Sequence, residues 1–231
     1  MDHFVEIYTS QAEAYHRFIE VEDVDENLLP AMENIIDFRG ARVLDLGTGT
    51  GRIPLLLDRV VTQTIGLDLH RNMLQENLKQ RQIHQGNWSL TIGDMRTLPF
   101  CAGVFDIITA GWALGHFCGW YAETWQKEIK YALDEIQRVV KPGGAIIILE
   151  TLSTGSLTPA PPTPSLARYY RWLEEENGFT RQEVRTDYQF ASVNEAINLT
   201  EFFFGAELSQ AIRINQWARL PEWTGVWGKR V

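Results

Sequence analysis

The sequence predicts an α/β protein built on a doubly wound parallel sheet, and three observations carry the prediction. Short apolar runs alternate with helix-length segments from about residue 42 to residue 150. The first run, Arg42-Val-Leu-Asp-Leu46, enters a glycine loop, Gly47-Thr-Gly-Thr-Gly51, which leads directly into a helical pattern. The last run of the region, Ala145-Ile-Ile-Ile-Leu-Glu150, has no polar interruption before its end, as expected of a strand covered on both faces. Strands joined by helical crossovers pair in parallel, with right-handed connections.

The elements follow in order. Ser10 and Glu13 have the spacing of a capping box ahead of an aromatic-bearing helix, and a second helix over 26–38 ends at Gly40. After the strand at 42–46 and the glycine loop, 53–60 reads as a helix with Pro54 in its first turn, where proline is tolerated. A strand at 64–68, a helix at 72–82, strands at 88–92 and 104–110, and a helix at 121–140 come next. Lys141-Pro-Gly-Gly144 is a turn ahead of the strand at 145–150. The segment 151–164, with prolines at 159, 161, 162 and 164, cannot form a regular helix or a central strand. It reads either as a plain connection or as a lid over a pocket. A helix at 166–177 closed by Gly178, a strand at 183–190, a helix to Phe204 opened by the Ser192 and Glu195 capping box, and a last strand at 222–229 complete the chain. The organisation expected is one domain over 1–231: an N-terminal helical cap (1–40), a cofactor-binding core (41–150), a loop and helix lid (151–180), and C-terminal strands and helix (181–231).

Composition narrows the functional classes. With 231 residues, 45% hydrophobic and 22% charged, the chain has average globular usage and size enough for a substantial core. Cys101 and Cys118 are its only cysteines and lie in no metal-ligand spacing, so neither a metal site nor a disulfide scaffold is expected, and a reducing cytoplasmic setting is. The start carries no basic, apolar leader pattern, and no apolar run is long enough to span a bilayer. Lys plus Arg number 21 against 30 Asp plus Glu, a net charge of −9 with the cations scattered, which argues against a nucleic-acid partner.

Chemistry concentrates at strand ends. Gly47, Gly49 and Gly51 let the chain turn sharply and let a ligand reach the main chain. A dinucleotide fingerprint would place glycine where Arg52 stands, and no Gly-Lys-Ser/Thr follows to make a phosphate loop. Asp68 ends the second strand, where an acidic side chain can take both hydroxyls of a ribose. Gly93-Asp94-Met95 ends the third, offering a carboxylate for an exocyclic amine and a thioether for an apolar base edge.

Together these pieces resemble the class I S-adenosylmethionine-dependent methyltransferases, particularly the small-molecule branch typified by ubiquinone and menaquinone biosynthesis enzymes. The matching text is Val43-Leu-Asp-Leu-Gly-Thr-Gly-Thr-Gly51, Ile65-Gly-Leu-Asp-Leu69 with Met73, Gly93-Asp94-Met95 with Leu98-Pro-Phe100, Phe105-Asp-Ile-Ile108, and Arg138-Val-Val-Lys-Pro-Gly-Gly144. The resemblance implies a Rossmann-like sheet of seven strands with the last antiparallel, helices on both faces and a small lid. It implies S-adenosyl-L-methionine as cofactor, with Gly47, Thr48, Gly49 and Gly51 around its amino-acid part and Asp45 near the ammonium. Asp68 is then the ribose ligand, Asp94 and Met95 frame the adenine, Leu69 and Met73 close its other side, Gly111 lies beside the methionyl moiety, and Tyr15 caps the site.

Methyl transfer of this kind requires mainly alignment, because the sulfonium already activates the methyl group. No catalytic residue is assigned. His116 is a candidate base if the acceptor must lose a proton, and also a candidate packing residue. The Asn-Pro-Pro-Tyr/Phe motif of amide and base-nitrogen methylation is absent, Ala110-Gly-Trp112 standing in its place, so the expected partner is a small organic acceptor. Trp112, Trp120, Tyr170 and Trp172 suit an apolar or planar one, and equally suit the filling of a core. A nicotinamide-dependent oxidoreductase and a catalytically silent cofactor-binding protein are the alternatives.

Overall fold

The structure is a computed structural model that describes residues 3–231. Three short helices open it: α1 (His3–Ser10), α2 (Ala12–Ile19) and α3 (Leu28–Glu33). The core follows as β1 (Arg42–Leu46), α4 (Arg52–Leu57), β2 (Gln63–Asp68), α5 (Arg71–Ile83), β3 (Ser89–Ile92) and β4 (Phe105–Gly111). A 3-10 turn (Leu114–His116), α6 (Phe117–Trp120), α7 (Trp125–Val139) and β5 (Val140–Thr154) come next. The remainder is α8 (Pro164–Glu175), β6 (Thr180–Arg185), β7 (Tyr188–Gln189), α9 (Val193–Phe204), α10 (Ala206–Asn215), β8 (Arg219–Leu220) and β9 (Glu222–Arg230).

Seven strands form one sheet in the order β3-β2-β1-β4-β5-β9-β6, parallel except for β9, which runs antiparallel to both neighbours. The expected Rossmann-like sheet, with its last strand reversed, is what the chain forms. The strands are apolar on both faces because both are covered. Leu44, Ile108, Ile146 and Ile148 face α7 and α8, while Val43, Ile107, Ile147 and Leu149 face α3 and α4. Among the described residues, no helix is long and apolar enough to cross a membrane.

Several local expectations need correction. Ser10 does not open a helix. It closes α1, its hydroxyl donating to the Glu6 carbonyl (2.7 Å), and α2 starts after Gln11. The helix expected over 26–38 is only the six residues of α3, stopped by a turn in which the Ile35 N–H reaches back to Met32. The one expected over 121–140 begins only at Trp125, as α7, because 121–124 form a turn after α6 in which the Thr124 N–H bonds the Tyr121 carbonyl. The Lys141 to Gly144 turn lies inside β5, looped out between the pairs Phe105↔Val140 and Ile107↔Ala145. The strand expected at 183–190 is two: β6 ends at Arg185, and β7 pairs instead with β8 in a separate ribbon. Helix α10 was not anticipated. The Ser192 box is as expected, the Ser192 hydroxyl accepting from the Glu195 N–H (3.1 Å).

Over the carboxyl ends of the strands sits a cap made by α2, α9, α10 and the β7–β8 ribbon, with its own core of Phe18, Tyr188, Phe190, Ile197 and Ile212. Helix α1 bridges cap and core, burying Ile7 and Tyr8 against Met73 of α5. Helix α8 instead packs into the main core through Tyr169, Tyr170, Trp172 and Leu173.

Candidate active site

Strand β1 lies between β2 and β4, with its crossover on one side only, so a crevice opens beyond its carboxyl end. That is where ligands bind in open α/β sheets. The glycine loop lies there, with Gly47, Gly49 and Gly51 all at positive φ (66°, 53° and 103°). Two further constraints hold it. A Cβ on Gly47 would fall 2.5 Å from the Ala113 Cβ, and one on Gly51 would fall 2.8 Å from Asn77 Oδ1. Asn77, fully buried on α5, donates to the Gly49 carbonyl (3.1 Å) and accepts from the Trp88 indole N–H (2.8 Å). Sequence reading missed this pin.

Asp68 joins the loop to the next helix. Its carboxylate accepts the Gly49 N–H (2.8 Å) on one oxygen and the His70 N–H (2.7 Å) on the other, and burial raises its pKa. Asp94 is engaged from within its own turn by the backbone and guanidinium of Arg96, which holds its carboxyl below the usual range. Arg96 in turn pairs with Glu128 of α7.

Eight of the eleven residues expected to hold a cofactor line one cleft: Gly47, Gly49, Asp68, Leu69, Met73, Asp94, Met95 and Gly111. Asp45, Thr48 and Gly51 stand behind it. Asp45 accepts from the Thr109 hydroxyl (2.7 Å), and burial pushes its carboxyl up to about 7. The cleft is narrow and open at its mouth, leaving about 110 Å³ for the centre of a water-sized sphere. Tyr15 lines it, as expected of a capping residue, and so does Tyr8 of α1, which the sequence did not single out.

A second, larger chamber adjoins the cleft, and Tyr8, Tyr15, Trp112, His116 and Trp120 form the wall common to both. His116 Nε2 shares a hydrogen bond with the Tyr8 phenol (2.9 Å), and its ring stacks on Trp120 at 5.0 Å. Trp112 sits at positive φ (50°), a conformation costing about 1–3 kcal/mol for a non-glycine residue. Its N–H donates to the Leu149 carbonyl (2.6 Å), and the Arg52 guanidinium lies 3.9 Å from its ring centroid. Arg52 is bridged to buried Glu22 (2.6 Å). Of the four aromatics expected near an acceptor, Trp112, Trp120 and Tyr170 line the chamber, whereas Trp172 is a core residue packed on Trp125. Ala160, Pro161, Pro162 and Thr163 close one side, so the proline-rich segment, 155–163 in the structure, is a wall of the chamber. Among the described residues, no cluster of His, Cys, Asp or Glu is placed to hold a metal ion.

A doubly wound sheet with its final strand reversed, a positive-φ glycine loop after β1 and an acidic residue ending β2 define the class I methyltransferase architecture. Comparison with known proteins agrees. Residues 44–148, somewhat under half of the chain, match the methyltransferase domain family. The chain is 35% identical over 115 residues to the demethylmenaquinone methyltransferase of Staphylococcus haemolyticus, an alignment covering 48% of this chain and 44% of that one. The similarity thus spans less than half the length of such relatives. Among solved structures, a SAM-dependent methyltransferase from Aquifex aeolicus superposes with a TM-score of 0.58 at 16% identity, covering 92% of each chain. The [4+2]-cyclase SpnF superposes with 0.55 at 18% identity, covering 88% of this chain and 81% of that one. These two likenesses establish the fold.

Proposed function

We propose that this chain transfers the methyl group of S-adenosyl-L-methionine to a small, largely apolar organic acceptor in the cytoplasm. The observation that carries the proposal is the pairing of cavities: a cleft lined by the cofactor motifs adjoins, across one shared aromatic wall, an aromatic chamber. Methyl transfer needs two ligands held end to end with water excluded, and this arrangement supplies both.

The residues fit the cofactor. The space over Gly49, where a Cβ would approach Met73 Cε at 3.5 Å, is a cradle for the amino-acid moiety. Asp68, fixed by two N–H donors, keeps lone pairs for ribose hydroxyls. Asp94 and Met95 stand on the adenine side, with Leu69 and Met73 opposite and Gly111 towards the methionyl chain. Asp45, Thr48 and Gly51 act from behind by shaping the loop. Once bound, the cofactor supplies a methyl group already activated as a sulfonium. The protein holds it and shields it with α1 and the cap.

The nicotinamide alternative finds no support in the comparisons. At the place a third fingerprint glycine would occupy, Arg52 forms a buried ion pair and a stack on Trp112. Calorimetry with S-adenosylhomocysteine and with NADH is the first test. S-adenosylhomocysteine is expected to bind in the micromolar range, roughly −7 to −8 kcal/mol. Incubation with methyl-tritiated cofactor and a small-molecule extract should then move label into solvent-extractable compounds. NADH binding with no S-adenosylhomocysteine binding refutes the assignment, and cofactor binding with no labelled small molecule refutes the acceptor class.

A further inference from the structure

The acceptor chamber holds a buried carboxyl for which cofactor binding has no use. Glu150 lies on β5 one residue past Leu149, the partner of Gly111 at the end of β4, and it lines the chamber while only 5% exposed. Its Oε1 is fixed by two donors, the Gly115 N–H (2.8 Å) and the Tyr169 phenol (3.3 Å). Among the described residues, Oε2 has no hydrogen-bond donor. The groups packed around Glu150 are uncharged. They are the phenols of Tyr169 and Tyr170 on α8, the latter tied to the Thr151 carbonyl, and the Cys118 thiol of α6, which burial and Glu150 itself push up to about 12. Arg168 acts on that thiol, and the partner of Glu150 on β9 is Gly225, which has no side chain. Of the other charged groups lining the chamber, Arg52 and Glu22 are paired with each other, and Glu207 stands exposed on α10.

Resting on the methyltransferase reading, we infer that Glu150 is the proton acceptor of the reaction and that the acceptor is a planar molecule bearing a weakly acidic, phenol-like O–H, placed at Oε2. The rings of Tyr15, Phe18, Trp112, Trp120, Tyr188 and Phe203 suit a planar body. Burial raises the Glu150 carboxyl to about 8, within about two units of an ordinary phenol, so the proton can pass in either direction at little cost. An aliphatic alcohol is too weak an acid for that match. His116 is less suited, because its Nε2 is already engaged by Tyr8. In the step itself, a lone pair of the acceptor oxygen forms the O–CH3 bond as the methyl–sulfur bond breaks and its electron pair stays on sulfur. The O–H proton passes to Glu150 Oε2, and the carboxyl returns it to water when the product leaves.

The test uses protein saturated with S-adenosylhomocysteine and 4-nitrophenol as probe, whose anion absorbs visible light and whose neutral form does not. A carboxyl that must be protonated to accommodate the phenolate predicts that affinity for the anion falls about tenfold per pH unit above about pH 8 in the wild type. In Glu150→Gln the affinity should stay flat over the same range. In weakly buffered solution near pH 9 the wild type should take up about one proton per probe bound, and the variant none. Equal S-adenosylhomocysteine affinity and circular dichroism in both proteins establish that the variant is folded. If S-adenosylhomocysteine binds and 4-nitrophenol does not, the acceptor class is wrong. Matching pH profiles in the two proteins would remove Glu150 from the role. Failure of S-adenosylhomocysteine to bind would instead overturn the cofactor reading on which the inference rests.

Discussion

Replacing Asn77 by leucine, close to it in size and shape, tests whether the glycine loop is held from α5. Asn77 is completely buried and serves two partners at once: it accepts the Trp88 indole N–H and donates to the Gly49 carbonyl. Trp88 is itself only 3% exposed, so in Asn77→Leu its N–H is stranded, at about 1–3 kcal/mol. The Gly49 carbonyl lies at the cleft, where water can replace the lost bond, and adds about 0.5–1.5 kcal/mol. The total expected from urea unfolding is about 1.5–4.5 kcal/mol. Trp88→Phe removes the stranded donor. In the double variant the two introduced apolar side chains meet without an unpaired polar group, so the costs of the two single changes should fall short of additivity by about 1–3 kcal/mol. Additive costs, or Asn77→Leu at less than about 0.5 kcal/mol, would show that the hydrogen bonds do not hold the loop. Calorimetry on the same variants links the pin to function, because a loop released at Gly49 should bind S-adenosylhomocysteine more weakly.

Asp68→Asn keeps a carbonyl oxygen for one of the two N–H groups now bound and should weaken S-adenosylhomocysteine binding by about 1–3 kcal/mol, measured by calorimetry. Unchanged affinity would remove Asp68 from the ribose site. Burial raises Glu150 from 4.5 to about 8, so between those pH values the folded chain keeps a proton that the unfolded chain has lost, and stability falls as pH rises. Glu150→Gln removes that loss. Its stability relative to wild type, read by urea unfolding, should be near zero at pH 4.5 and grow by up to about 1.4 kcal/mol per unit towards pH 8, whereas a constant difference would contradict a raised carboxyl. The amides of 155–163 should exchange more slowly when S-adenosylhomocysteine and a competent acceptor are both bound. Equal exchange with and without ligands would make the segment a fixed wall.

The parts of the fold that were legible in the sequence are those set by local pattern. The runs 42–46 and 145–150 are strands because apolar residues on both faces leave them no other stable place, and the Ser192 box heads a helix because an apolar period follows it. The Ser10 box failed because Phe4, Ile7 and Tyr8 already form a helical stripe before it, so Ser10 falls at a helix end. The site divides the same way. The glycine loop, Asp68 and Asp94 are recognisable because each follows directly from a strand end. Tyr8, Glu22, Asn77 and Glu150 carry no local signal. Glu22 matters because it meets Arg52, thirty residues on, and Glu150 because Gly115 and Tyr169 close around it.

The two cavities differ in where their walls originate. Apart from Tyr8 and Tyr15, every residue of the first cleft lies within 44–148, the stretch that matches the methyltransferase domain family. The second chamber, proposed for the acceptor, is lined mostly by residues before and after that stretch. The chain is thus a standard hub inside an exchangeable mantle, and retooling it for a new acceptor is a matter of regrafting segments such as 155–166 and 203–208 while leaving the hub untouched. One joint limits that freedom. Arg52 is anchored in the hub but bridges to Glu22 and lies on Trp112, so any replacement mantle must supply a partner for a guanidinium already built into its floor.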